Sequence, residues 1–379
     1  MVAVKRGPSF DWWLFLLGLL LSISGLVYIY SATWVAQDPP GPYFAKKFIY
    51  QVLYLCAALA VFFIASRINW GLKPDTWLWF YVPVIVLLVL VLTIGYASGS
   101  GSTRWLNLGP INIQPSEFAK LGLTMILAWL YSAEPVRIRN NFWLGLGIML
   151  SMLALVVIQP DLGTSMVFIV IFLVMSLFAA VPRRWLLVVM LGFVLLSVPA
   201  WFMLRDYQKN RLLVFLGYEI QDGQLQPASS QGAAYQIVQS ENAVGSGGLF
   251  GQGFLRGTQT HSGFIPVAHS DFIFAVVGEE FGFIGCIWLL LLYFLLLARI
   301  LALSRDALSL YERYICYGTS AVIFFHVFIA VGITIRLAPI TGLPLPFVSH
   351  GGSALMTMWM YLAILQSIHA NSRRDFRYG

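Results

Sequence analysis

The segment WLWFYVPVIVLLVLVLTIGY, residues 77–96, runs twenty residues without a charged side chain. About 20 apolar residues is the length a helix needs to cross a bilayer's hydrocarbon core. WWLFLLGLLLSISGLVYIYS, residues 12–31, has the same character. The whole 379-residue chain is 59% hydrophobic, 15% aromatic and only 10% charged. Soluble domains carry about 25% charged residues, so this chain has too few to clothe a water-facing surface. It reads as an all-α polytopic membrane protein forming a single transmembrane domain over 1–379. About ten spans are expected, near 12–31, 50–65, 77–96, 115–131, 142–158, 163–181, 185–204, 271–302, 313–335 and 352–369.

The net charge of +7 would suit nucleic acid, but its distribution points to topology instead. With the N-terminus cytoplasmic, 14 of the 23 Lys and Arg fall on the cytoplasmic side, among them Lys5, Arg6, Lys73, Arg137 and Arg377. Only four sit in short loops on the other side, and long loops count little in the positive-inside rule. Both termini are therefore expected in the cytoplasm. The first apolar run is longer than a signal-peptide core, so no cleaved leader is expected. Cys56, Cys286 and Cys316 all lie in spans without ligand spacing, so neither disulfides nor a metal cluster is expected.

Three segments break the helical pattern on the same expected side: 97–114, the long stretch 205–270 between the seventh and eighth spans, and 336–353. Non-helical backbone at membrane depth is tolerated where it is buried in protein or lines a wet cavity. The long stretch lacks charge blocks and reads as an ordered extracellular cap. Its glycine-rich part, near 245–254, follows no strand, so a nucleotide fingerprint fits poorly; close backbone packing over the cavity mouth suits it better.

Several acids then need a reason. In HSDFIFAVVGEEFGFIG, residues 269–285, Asp271 opens the eighth span, where a carboxylate caps free N–H groups and the helix dipole would lower its pKa. Glu279 and Glu280 lie eight and nine residues on, about 80° and 180° round the helix, too far to share a site with Asp271. They read as structural intramembrane acids, paired with cations or bonded to neighbouring helices. In QPSEFAKLG, Glu117 and Lys120 share a face at i, i+3, either as an anchoring ion pair or with Lys120 and Arg104 serving an anionic ligand. Asp161 in QPDLGTS is a cap or a second cavity acid. The five histidines show no metal spacing and read as packing or interface residues.

RWLNLGPINIQPSEFAK (104–120), QPDLGTS (159–165), QSENAVGSGGLFGQGF (239–254), TQTHSGFIPVAHSDFIFAVVGEEFG (258–282) and PLPFVSHGGS (344–353) together resemble the SEDS family (shape, elongation, division and sporulation) of peptidoglycan polymerases. Short tails and TQTHSGFIP lean toward the elongation, RodA-like type over the FtsW-like division type. Three positions depart from the family pattern: Val267 stands where an acid is usual, Ser270 for the common Thr, and His350 where an aromatic is usual.

That resemblance implies a glycosyltransferase that polymerises lipid II in the bacterial cytoplasmic membrane and releases undecaprenyl pyrophosphate. Asp271 matches the family's essential acid and would be the general base on the acceptor GlcNAc 4-hydroxyl. Lys120 and Arg104 would stabilise the leaving pyrophosphate, with Glu117 and Asp161 lining the cavity and positioning Lys120, and with Ser349 among the substrate-binding residues. No organic cofactor is implied; a divalent cation, Mg²⁺ or Mn²⁺, is the candidate cofactor, with no confident metal ligand. Expected partners are lipid II, membrane lipid, a class B penicillin-binding protein and other elongation-machinery proteins, but not nucleic acid. Two alternatives remain open: a lipid-precursor flippase or transporter, against which the lack of internal symmetry counts, and a non-catalytic scaffold, which leaves the acid at the cavity mouth unexplained.

Overall fold

The computed structural model describes residues 10–34, 42–70, 76–97, 103–107, 112–132, 138–221, 224–227, 232–265 and 267–375. Lys5, Arg6, Lys73, Arg137 and Arg377, which enter the topology expectation, lie outside the described residues. A helix overlies each of the ten expected ranges, most to within a few residues, though the second begins eight residues earlier and the last ends six later. These are α1 (Trp12–Ala32), α2 (Pro42–Ala65), α3 (Thr76–Ile94), α4 (Pro115–Ser132), α5 (Ile138–Ile158), α6 (Leu162–Phe178), α7 (Arg183–Met203), α11 (Ile273–Asp306), α12 (Leu310–Thr334) and α13 (Gly352–Asp375). Among the described residues, six helices are long and apolar enough to cross a membrane, and two shorter ones are also apolar. This is a multi-pass membrane protein.

Two of the connecting stretches carry regular elements among the described residues. Between α7 and α11 lie α8 (Asp206–Phe215), the antiparallel hairpin β4 (Tyr218–Gln221) and β5 (Gln224–Pro227), α9 (Gly232–Ser246) and α10 (Thr258–His261). Between α3 and α4, short strands β1 (Tyr96–Ala97), β2 (Thr103–Asn107) and β3 (Asn112–Ile113) make a three-stranded sheet, a departure from a purely helical reading.

Helix α4 is the hub. It is buried along most of its length and packs against α3, α5, α6, α12 and α13. By contrast, α7 exposes Leu187, Val188, Leu191, Val194 and Leu195, the exterior a helix shows to lipid rather than to water. At the other end of α11, Asp11 caps α1 at Leu14 N and accepts from Arg299 Nε at 2.8 Å, tying α1 to α11.

Helix α11 is broken at Gly282, whose φ of 66° is outside helical space. A kink frees backbone N–H and C=O groups, and hydrocarbon offers them no partner. The glycine-rich segment supplies the partners. Phe283 N donates to Gly248 O at 2.9 Å and Ile284 N to Leu249 O at 3.1 Å, while Gln252 N donates to Glu279 O at 2.9 Å and Gly253 N to Glu280 O at 3.0 Å. The glycines thus serve the kink of α11 rather than roofing the cavity. Only glycine fits there: a Cβ at Gly247 would collide with the Gly278 carbonyl, and one at Gly251 with that of Glu280. Overpacking of this kind costs about 1–3 kcal/mol. Gly247→Ala is therefore expected to lower the melting temperature in detergent. Gly245→Ala, where a Cβ meets nothing within 4 Å, is expected to leave it unchanged.

Candidate active site

Asp271 lies one residue before Phe272, the N-cap of α11, and α11 has no side-chain cap. The capping role expected of Asp271 is thus not what its carboxylate does. It accepts from Ser270 Oγ at 3.0 Å, and two cations act on it, Arg211 and Arg104. The expected pKa direction also reverses. Burial raises it above the usual carboxylate range, and the Ser270 hydroxyl and the two arginines pull the other way without winning. The helix dipole is outweighed by loss of water.

Arg104, on β2, donates through Nε to Gln159 O at 3.4 Å and bonds Pro160 O, and its Nη1 is 3.6 Å from Asp161 Oδ1. Of the two roles expected for Asp161, the structure shows the cap. Asp161 caps α6, accepting from Thr164 N at 3.2 Å and Thr164 Oγ1 at 3.0 Å, and it also accepts from Gln114 Nε2 at 3.2 Å and Ser116 Oγ at 3.4 Å. With its oxygens so engaged, Asp161 does not position Lys120; it holds Arg104.

Lys120 is fully buried and donates to Glu117 Oε1 at 2.7 Å. Its other partner is His326 Nε2 at 3.0 Å. His326 Nδ1 is 2.8 Å from Val322 O, which fixes the proton there and leaves Nε2 to accept. The triad spans α4 and α12 and was not signalled by local sequence, because 206 positions separate Lys120 from His326.

Arg211, in the long 205–270 stretch whose charges count little for topology, stands instead at the site. It lies on α8 one turn after Tyr207, whose hydroxyl donates to Pro160 O at 3.3 Å. The i, i+4 spacing in DYQKNRLLVF aims both side chains the same way, which is the sequence signal that could have found it. Ser349 is buried and not open to a ligand. Its hydroxyl donates to Ser270 O at 2.7 Å and accepts from Leu345 N at 2.9 Å, so it clamps the 344–353 loop onto the Asp271 turn.

Glu279 and Glu280 are buried. Glu279 receives Gln259 N at 2.6 Å, Thr260 N at 3.0 Å and Thr260 Oγ1 at 2.6 Å, capping α10. Glu280 accepts from Ser31 Oγ and lies 3.1 Å from His261 Nε2, whose pKa this pairing raises. Among the described residues no three of His, Cys, Asp and Glu converge. With Asp161 already engaged by four donors and by Arg104, the described side chains do not fit a protein-held Mg²⁺ or Mn²⁺.

A family described as "Cell cycle protein" (FtsW/RodA/SpoVE) matches residues 11–374. The chain belongs to this family. It is 36% identical to the peptidoglycan glycosyltransferase MrdB of Escherichia coli K12 over 282 residues, 73% of each chain. It is 35% identical to the stage V sporulation protein E of Bacillus subtilis over 382 residues, 98% of this chain and all of that one. A solved structure described as structural coordination of polymerization and crosslinking by a peptidoglycan synthase complex superposes with a TM-score of 0.79. Its identity is 28%, over 97% of this chain and 99% of that one.

Because the folded state raises the Asp271 pKa, ionising it at neutral pH opposes folding. That contribution is absent below the unfolded pKa of about 4 and grows as pH rises above it. Asp271→Asn is therefore expected to raise the melting temperature at pH 7.5 by about 2 °C or more, with the gap closing at acid pH.

Proposed function

We propose that the chain is a peptidoglycan glycosyltransferase of the elongation, RodA-like type, polymerising lipid II at the non-cytoplasmic face of the bacterial inner membrane. The observation that carries this reading is a single carboxyl, raised in pKa, at the start of α11 between two arginines. A general base works best with a pKa near the operating pH, and cations beside it can take up charge developing on a leaving group.

In the reaction, Asp271 takes the proton of the acceptor GlcNAc 4-hydroxyl. The freed oxygen forms a bond to C1 of the donor sugar. The C1–O bond to diphosphate breaks, and its electron pair leaves on undecaprenyl diphosphate. Arg104 and Arg211 face that developing charge; Asp161 and Tyr207 hold the scaffold around them. The Glu117–Lys120–His326 triad is a charge-balanced buried tie between α4 and α12, and Ser116, beside Glu117, bonds Asp161. The positive-inside distribution supports ten spans with both termini cytoplasmic, an arrangement in which the segment 205–270 lies outside. A class B penicillin-binding protein is the partner implied by the family resemblance, and the likeness to a chain of a peptidoglycan synthase complex supports an assembly of that kind.

Purified chain would be incubated with labelled lipid II, with and without that partner, and products sized on a gel. Wild type is expected to give a glycan ladder, and Asp271→Asn to slow initial polymerisation about 10²–10⁴-fold. Equal ladders from both would falsify the mechanism, and lipid II flipping without polymer would favour a transporter. The pH profile offers a second check. Asp271 must be deprotonated, so the rate falls as pH drops through its raised pKa. Removing a cation raises that pKa further, so Arg211→Gln is expected to move the acid limb of kcat/KM to higher pH.

A further inference from the structure

A second basic cluster stands on the other side of the Asp271 turn. Lys47 Nζ on α2 lies 3.2 Å from His269 Nε2, two residues before Asp271. The rings of His269 and His350 are 5.7 Å apart, and His350 N donates to His269 O at 3.0 Å. The groups are fixed from three elements. Gln51, one turn along α2 from Lys47, accepts from Gly351 N at 3.2 Å and donates to Ser349 O at 3.4 Å. Tyr54, further along the same face, lies 6.3 Å from the His350 ring.

Three features mark this cluster as more than packing. Lys47, His269 and His350 are all only partly buried, so a ligand can reach them. Yet His350 Nδ1 is buried with no hydrogen-bond partner among the described residues, where buried polar groups are nearly always paired. Finally, Lys47 is one of four cations in short loops on the translocated side, where the positive-inside rule disfavours them.

Resting on the polymerase reading, we propose that Lys47, His269 and His350 bind the diphosphate of a second lipid-linked substrate, the one whose sugar hydroxyl Asp271 activates. Coupling two lipid-linked sugars brings two diphosphates to one base, and the chain has two basic sets flanking that base. Arg104 and Arg211 take the leaving diphosphate. Lys47 and the imidazole N–H groups hold the one that stays. Burial lowers His269 to about 3 and His350 to about 4, so both rings are neutral donors at working pH.

The test uses the full chain in phosphatidylcholine nanodiscs titrated with undecaprenyl diphosphate, with bound lipids counted by native mass spectrometry. Wild type and Asp271→Asn are expected to bind two. Lys47→Met and the milder His350→Tyr are expected to bind one, or the second at least about tenfold more weakly, as loss of one charge-assisted bond implies. In polymerisation assays both variants should raise the half-saturating lipid II concentration about tenfold, while Arg336→Gln, an exposed cation paired with Glu241, should not. Two bound lipids with unchanged half-saturation in both variants overturn the proposal. So does loss of the second lipid in phosphatidylglycerol nanodiscs, which would assign the site to bulk anionic lipid. A polymerising Asp271→Asn would overturn the base assignment instead, while the lipid count would still report on this cluster.

Discussion

Hydrocarbon gives a bent helix nothing to bond to, and the bend in α11 at Gly282 is the constraint from which the site follows. Its freed backbone groups are met by residues 248–253, which brings the chain hard against α11. Two carboxylates then lock the segment that follows. Glu279 caps α10, and Glu280 joins it to α1 through His261 and Ser31. An acid at that depth would be costly alone; here both are engaged in fastening the loop. With residues 247–261 held to the helix, the return from α10 to α11 is short, and Asp271 is delivered to a fixed place.

The same place is tightened from the opposite side. Ser349 bonds the Ser270 carbonyl, and Gln51 holds the backbone on either side of His350. Asp271 therefore rests between two fastened loops, which can hold a carboxylate in place without its serving as a cap. Freed from capping, its carboxyl answers to burial more than to the helix dipole.

Much of the helical layout was legible because apolar runs of about 20 residues report directly on spanning helices. Asp161 as a cap and the Glu117–Lys120 pair were legible for a local reason, since both involve partners three residues apart. What escaped depends on approach between distant segments. Arg211 reaches Asp271 across 60 positions of chain, and His326 meets Lys120 only through the packing of α12 on α4. Glu279 and Glu280 bond α10, His261 and Ser31, and no periodicity could tell that a glycine-rich loop would descend to meet them. Ser349 misled for a related reason: a serine in a loop motif looks available until its partners are known.

Electrostatics near Asp271 give a reason for the two basic sets to differ in kind. Cations around a carboxylate favour its charged form and so weaken it as a base. Arg104 and Arg211 already pull the Asp271 pKa down against burial, and further full charges in contact would undo the shift that makes the group useful. A diphosphate held close by must then be recognised largely without charge. Neutral imidazoles do this, since each can donate an N–H while leaving the field at Asp271 little changed. The single ammonium, Lys47, is set behind His269 rather than against the acid. In the proposed reaction, arginines would face the group that leaves and histidines the group that stays, with Asp271 still able to take a proton.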